Sequence, residues 1–331
     1  MVKELLEKEK TMRKIFAVLL VLGVMFSLVA AGSTEKVDMN GSVAMVLSGL
    51  KTDQAFNQYT YEGMMRAAKE KGIKTAYKEN VTDAEQVEVI RQLAQQGYEI
   101  IIGQGGQFGD SLATVAKEYL NTKFIFSVGK DTYGLPNMSA ATVSYSEAGY
   151  LGGIMAAHST KTKKVAMITG VFYANQSQMR DSFKKALHDV DPNIEFAAIE
   201  TNDWADTDKA YNAANALIAQ GYDVLFPCLD AAGAGVSAAS DDSKGKAVIV
   251  GSVADYAATY NGKAVMGSVI FNWEGLGYLE ATGELTDGKS HVVGMAGNGI
   301  SAIINDLSSA GIAAVEKAKS DLAAKKINIP D

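Results

Sequence analysis

Residues 93–109 read Leu-Ala-Gln-Gln-Gly97-Tyr-Glu-Ile-Ile-Ile-Gly103-Gln-Gly-Gly-Gln-Phe-Gly109. Residues 217–235 read Leu-Ile-Ala-Gln-Gly221-Tyr-Asp-Val-Leu-Phe-Pro-Cys-Leu-Asp230-Ala-Ala-Gly-Ala-Gly235. Each is a helix end stopped by glycine, then Tyr and an acidic residue, a short apolar run and a glycine-rich turn. Glycine stops a helix because it enters the left-handed conformation without steric cost. An apolar run of this length bounded by turn residues is the signature of a strand buried on both faces. The same unit written twice in one chain predicts two similar lobes.

Working outward, the first half alternates apolar runs with amphipathic stretches. Strands are predicted at Ser42–Ser48, Lys74–Lys78, Tyr98–Gly103, Thr122–Val128 and Ala140–Tyr145. Helices are predicted at Phe56–Lys71, from a cap at Thr82-Asp83 to Gln96, and at Gly109–Tyr119. The pattern restarts with a small-residue-rich helix at Ser146–Ser159. Strands follow at Lys164–Thr169, Ile194–Ile199, Tyr222–Leu229 and Lys246–Val253, with helices at Gln176–Val190 and Asp206–Gln220. Strands alternating with helices imply parallel sheets with helices on both faces, an α/β fold. The chain has only 4 prolines, and Pro192 and Pro227 are read as element edges.

The 331 residues, 47% of them apolar, suffice for two lobes with their own cores. A formal net charge of −7 argues against nucleic acid, which requires concentrated Lys and Arg. A single cysteine, Cys228, excludes an intrachain disulfide and reads as a buried thiol in its strand. His158, His188 and His291 have no metal-ligand spacing, so no metal and no cofactor are expected. Near the start, Met12-Arg13-Lys14 precedes the apolar run Ile15–Ala31 and the small residues Gly32 and Ser33. That order predicts a secretory signal over residues 1–33, with Met12 as the initiator, and hence an exported protein. The alternative, an uncleaved anchor, needs a longer apolar run.

In open parallel sheets, ligands sit beyond the carboxyl ends of the strands. The residues there are Asp53, Phe56 and Asn57 after the first strand, and Gly105, Phe108 and Asp110 after the third. In the second half they are Phe172, Tyr173, Trp204 and Asp230, then Asp255, Asn272 and Trp273. Aromatic faces of this kind stack on flat rings, and short amides and carboxylates read donor and acceptor edges. Each aromatic would equally suit a core position. No Lys or Arg cluster accompanies the set, which disfavours a phosphorylated ligand. The turn at 103–109 is not a dinucleotide fingerprint. The third glycine is misplaced and the turn follows the third strand; Gly105 instead suits close backbone approach. No catalytic constellation is found, and Asp241-Asp242 reads as a solvated loop, so no enzyme is expected.

The strand-end segments Asp53-Gln-Ala-Phe56-Asn57-Gln58, Gly97–Gly103 with Gln107-Phe-Gly-Asp110, Val115–Tyr119, Glu147–Gly153 and Asp191–Glu195 resemble the basic membrane protein family of ABC-transporter binding proteins, the purine nucleoside receptor type. The resemblance covers about residues 41 to 305. It implies a type I periplasmic-binding-protein fold with two doubly wound lobes and a hinge of three crossovers. The first lobe would be 41–145 plus about 272–288, and the second 146–271 plus about 289–331. It also implies a purine-like ligand stacked between aromatics, an ABC permease as partner and a monomeric receptor. Three departures stand out. Gly32 occupies the position where the family carries a lipid-bearing cysteine. Gly251-Ser252-Val253 replaces the family's Gly-Val-Asp. Phe271 stands where a lysine is usual. With Asn202-Asp-Trp204 and Asn272-Trp273, which resemble a branch associated with free bases, these favour a nucleobase or a nucleoside held differently. The expectation is an extracytoplasmic substrate-binding protein; the rivals are a sensory binder for a small heterocycle or sugar and an enzyme of nucleoside metabolism.

Overall fold

The computed structural model describes residues 41–329; the predicted signal lies outside the described residues. The elements follow the sequence pattern closely. Strand β1 (Ser42–Leu47) leads to helix α1 (Phe56–Lys71), then β2 (Lys74–Lys78), α2 (Gln86–Gln95), β3 (Ile100–Gln104), α3 (Gly109–Ala116), β4 (Lys123–Ser127) and β5 (Met138–Val143). The second set is α4 (Tyr145–Ala157), β6 (Lys164–Thr169), α5 (Ala174–Val190), β7 (Glu195–Glu200), α6 (Thr207–Ala219), β8 (Val224–Cys228), α7 (Gly233–Asp242), β9 (Val248–Val253), α8 (Tyr256–Tyr260) and β10 (Val265–Phe271). The chain ends with α9 (Trp273–Ala281), β11 (Ser290–Val293), β12 (Ile300–Ile304) and α10 (Ser309–Ala323).

Two six-stranded sheets result, in the orders β11-β5-β4-β3-β1-β2 and β12-β10-β9-β8-β6-β7. Every recorded pairing is parallel except β10 with β12. The largely apolar β1 and β8 occupy inner positions, and β1 is buried along its whole length, as a strand covered on both faces must be. α1 ends as its sequence dictates: Gly72 has φ 70° and gives its N–H to Ala68 O at 2.9 Å. The turn before α2 carries the returning half of a capping box. Glu85 accepts the Thr82 N–H at 3.1 Å and its hydroxyl at 2.5 Å, and the regular helix begins at Gln86.

Two sequence expectations need correction. Pro227 is not at an element edge; it lies inside β8, an inner strand. With no N–H to donate, it coincides with the end of the β8–β9 ladder, whose recorded partners stop at Leu225 and Ile249. Ser252 Oγ donates to Pro227 O at 2.7 Å in its place. Second, Ser290–Val293 pair with Ala140–Val143 of β5. The segment returning to the first sheet therefore runs on to Val293, past a boundary near 288. A four-residue strand, half of it polar, is too short to leave a pattern in the sequence.

α9 packs on α1 through a glycine seam. A Cβ on Gly63 would stand 2.1 Å from Glu274 O, and one on Gly277 would stand 2.3 Å from Thr60 O. The two helix backbones touch, which only glycine permits. The three crossovers between the sheets are tied together. Ser144 N–H donates to Val293 O (3.1 Å) and Asn272 N–H to Gly299 O (2.9 Å), and the Glu147 carboxylate accepts the Met295 N–H. No helix among the described residues is long and apolar enough to cross a membrane.

Candidate functional site

The carboxyl ends of the two sheets meet. Asn175 Nδ2, at the start of α5, donates to Val128 O beyond β4 at 2.9 Å. Lys130 Nζ donates to Gln178 Oε1 at 3.0 Å. Thr259 of α8 is close enough to Tyr59 of α1 to act on its hydroxyl. The rims are therefore bridged, and the strand-end residues of both lobes are brought face to face.

From the first lobe come Asp53, Phe56 and Tyr59. Asp53 is committed to shaping its own loop. Its oxygens accept from Ala55 N (3.0 Å), Asn57 N (2.9 Å), Gln58 N (3.0 Å) and Asn57 Nδ2 (2.8 Å). These donors are the otherwise orphan N–H groups at the start of α1. Asn57 is buried and spends its amide on Asp53, so both residues fix Phe56 at the rim. Phe56 is partly exposed and meets Trp273 edge to face at 5.1 Å. Gly105 has φ 137° and sends its N–H to Ser127 O at 3.3 Å, a conformation reserved for glycine.

From the second lobe come Phe172, Trp204, Asp230 and Asp255. The Trp204 ring lies on Gly170, whose added Cβ would fall 2.4 Å from it. Tyr173 lies nearly parallel to Trp204, with centroids 6.4 Å apart at 13°. Phe172 is partly buried, with the Arg180 guanidinium 5.2 Å from its ring centre. Asp255 caps α8 by accepting from Ala257 N (3.1 Å) and Ala258 N (3.3 Å). Asp230 follows β8. Burial and the Asp53 carboxylate across the cleft raise its carboxyl well above the usual range. The Tyr260 hydroxyl donates to Asp230 O at 2.8 Å.

Three predicted residues lie elsewhere. Phe108 has no accessible surface and belongs to the first lobe's core, with Gly103 against its Cβ. Trp273, 1% exposed, is wedged among Phe56, Tyr145 and Phe271. Asn272 caps α9 and ties the crossovers through Asn298 O at 3.0 Å. It lines a cavity of about 250 Å³ at the hinge with Arg66, Val143, Val293 and Asn298. Strand-end position alone cannot separate a rim residue from one at a crossover. Cys228 is buried, and burial pushes its thiol up to about 12, the inert core thiol expected.

The sequence reading missed a set of tyrosines. Tyr59 is influenced by both Asp53 and Asp255. Tyr260 is influenced by Asp230, Tyr59 and Asp53, and Tyr145 by Cys228 and Asp230. Burial is the largest cause in each and raises each hydroxyl above its ordinary value. The spacing from Phe56 to Tyr59, one helical turn on the same face, was the available signal for the first of them.

A sequence profile described as ABC transporter substrate-binding protein, PnrA-like (Bmp), matches residues 41–330. The chain is 28% identical over 223 residues to the ABC transporter nucleoside-binding protein BmpA of Lactococcus lactis, covering 62% of this chain and 60% of that protein. It is 30% identical over 163 residues to a purine-binding protein of Brucella abortus, covering 49% of this chain and 46% of that one. The solved structure of an ABC transporter solute-binding protein from Conexibacter woesei superposes with a TM-score of 0.69 at 23% identity, over 87% of this chain and 98% of that one. The two parallel-sheet lobes joined by three crossovers are those of type I periplasmic binding proteins, and the chain belongs to the Bmp family of PnrA-like ABC transporter substrate-binding proteins.

Proposed function

We propose that the protein is the extracytoplasmic receptor of an ABC transporter and that it holds a purine nucleobase or nucleoside between its lobes. The observation that carries this is the meeting of the two strand-end rims, through Asn175 on Val128 O and Lys130 on Gln178, where Asp53 and Tyr59 of one lobe and Asp230, Asp255 and Tyr260 of the other are close enough to influence one another's ionisation. Phe56 and Trp204, which follow β1 and β7 at the strand ends of either lobe, would supply the stacking faces. Such a cleft offers π faces to a flat heterocycle and acceptors to its N–H groups, and it repels a phosphate. The nucleoside-binding and purine-binding relatives support the same reading. Ligand would favour the closed lobes because it contacts both rims only there. A monomer would then dock on a permease, and the chain would perform no turnover.

Phe56→Ala and Trp204→Ala are each expected to weaken binding by about 5- to 150-fold, from the ~1–3 kcal/mol that stacking on one ring supplies. Calorimetric titration of adenine, guanine and adenosine measures this. Unchanged affinity in both variants would remove the assignment, and conversion of any of these compounds by the purified protein would favour the enzyme reading.

A further inference from the structure

The two side-chain bonds that cross between the rims join the same short stretches. Asn175 Nδ2 donates to Val128 O at 2.9 Å, and Lys130 Nζ donates to Gln178 Oε1 at 3.0 Å. The first lobe contributes the turn after β4, and the second contributes the start of α5. Neither bond uses Phe56, Trp204 or a rim carboxylate, so neither needs a ligand to form. Val128 is buried and β-branched, yet it has φ 74°. A residue with a branched Cβ rarely adopts that backbone, because the Cβ crowds the following carbonyl. The turn separates the uses of its two polar groups. The Val128 N–H stays with the sheet, donating to Ala141 O of β5 at 2.6 Å, while the carbonyl serves Asn175. Gly129 then folds the chain back so closely that an added Cβ would fall 1.9 Å from the Phe126 ring. The second sheet repeats this backbone. β9 holds the place of β4 in its sheet, and Val253 at its end has φ 72°. Neither cross-lobe bond involves Val253. The turn therefore belongs to the fold of each lobe, and what is particular to Val128 is the amide opposite. A carbonyl already fixed in place forms its bond at little ordering cost.

We propose that Asn175 is a positioning residue that latches the lobes: its amide closes on the waiting Val128 carbonyl with or without ligand, and so sets the fraction of the protein that is closed. This goes beyond the purine reading and does not rest on it, since any small molecule held between the lobes would be served alike. A ligand that contacts both rims binds the closed form, so its apparent dissociation constant is the intrinsic one divided by the closed fraction. Asn175 raises affinity through that fraction and not by touching the ligand. The Lys130 bond adds less, because the lysine is exposed and water competes for its ammonium group.

The test measures the closed fraction directly in the full chain. Nitroxide labels on Thr114→Cys of α3 and Asp208→Cys of α6, exposed positions in the first and second lobes, report the distance between the lobes by electron–electron resonance, and buried Cys228 escapes labelling. Without ligand, the labelled protein is expected to show two distances, one of them that of the closed lobes. Asn175→Ala is expected to lower the ratio of closed to open about 3- to 10-fold, the contribution of one hydrogen bond, and Gln178→Ala is expected to lower it less than about twofold. In calorimetry of the same proteins, adenine affinity is expected to fall by the factor by which the closed fraction falls. Loss of a ligand contact would weaken adenine with the closed fraction unchanged, and a merely structural role would lower the melting temperature and leave the ratio alone. Either result overturns the proposal. So does absence of the closed distance without ligand, or a larger shift in Gln178→Ala than in Asn175→Ala. If adenine binds none of these proteins, the purine reading falls and the distances still decide the latch.

Discussion

Replacing Glu280 by Gln is expected to stabilise the protein above pH 7 and to flatten the dependence of its stability on pH. Glu280 projects from α9 into the first lobe with no accessible surface, and neither carboxyl oxygen has a hydrogen-bond partner. Burial pushes its carboxyl up to about 8, against a smaller opposing pull from Ser127. That hydroxyl is close enough to act on the carboxyl, yet its geometry falls short of a hydrogen bond. In the unfolded chain Glu280 titrates near its ordinary value of 4.5. Between those two values the folded state retains a proton that the unfolded state has released. Stability therefore declines as pH rises through this window, by about 1.4 kcal/mol per unit, and levels off above pH 8. The whole effect is on the order of 4 kcal/mol at most, since relaxation around a buried charge reduces it. Gln keeps the shape and has no charge to bury. Thermal melts at pH 5, 7 and 9 should show a gap between variant and wild type that widens with pH, at roughly 1.5 °C per kcal/mol for a chain of this size. A gap independent of pH would show that Glu280 is not the titrating group. The surface carboxyls held down to about 2, partly buried Asp191 by Lys163 and exposed Asp287 by His291, act with the opposite sign. They do so only at acid pH, outside this window.

Gly277→Ala is expected to cost about 3 kcal/mol or more, a large effect for one methyl group. The added Cβ would lie 2.3 Å from Thr60 O and 3.0 Å from Thr60 Cγ2. The first obstacle is backbone in the middle of α1, so relief requires the helices to part. Parting them also loosens Thr60 Oγ1 from Gln104 Nε2, a buried bond of 2.6 Å at the end of β3. Gly106→Ala is the control, because its added Cβ meets nothing within 4 Å and its φ is not positive. It should fall within about 0.5 kcal/mol of wild type. Urea titration of the three proteins decides this, and equal midpoints for the two variants would dismiss the seam as a source of stability.

Much of the fold was legible in the sequence because both sheets are dominated by parallel strands covered on two faces. Such strands read as continuous apolar runs, as in Ser42–Leu47 and Val224–Cys228, and glycines such as Gly72 and Gly97 mark where the helical segments stop. What escaped notice was short or set by distant contacts. Ser290–Val293 alternates exposed and half-buried residues, and its place beside β5 depends on a partner some 150 positions away. The site was legible as a set of strand ends but not as a surface. Phe56 and Trp204 are at the rims as expected, whereas Phe108 and Trp273, equally aromatic and equally placed in sequence, fill the core. Their burial depends on the α3 turn and on the crossover before α9, geometry that no local pattern encodes. Asp53 and Asn57 were read as ligand contacts. In the structure they also brace each other, because an Asp before a helix start finds backbone N–H groups first.

The seam between α1 and α9 also bears on synthesis. A nascent chain that has left the ribosome as far as Phe271 contains five strands of the second sheet, β6 to β10, but neither the helix that covers the first lobe nor the edge strand β11. The lobe that begins first is thus closed late, by a segment that arrives after most of its neighbour. Both lobes reach completion only when the last stretch, from Trp273 onward, is translated.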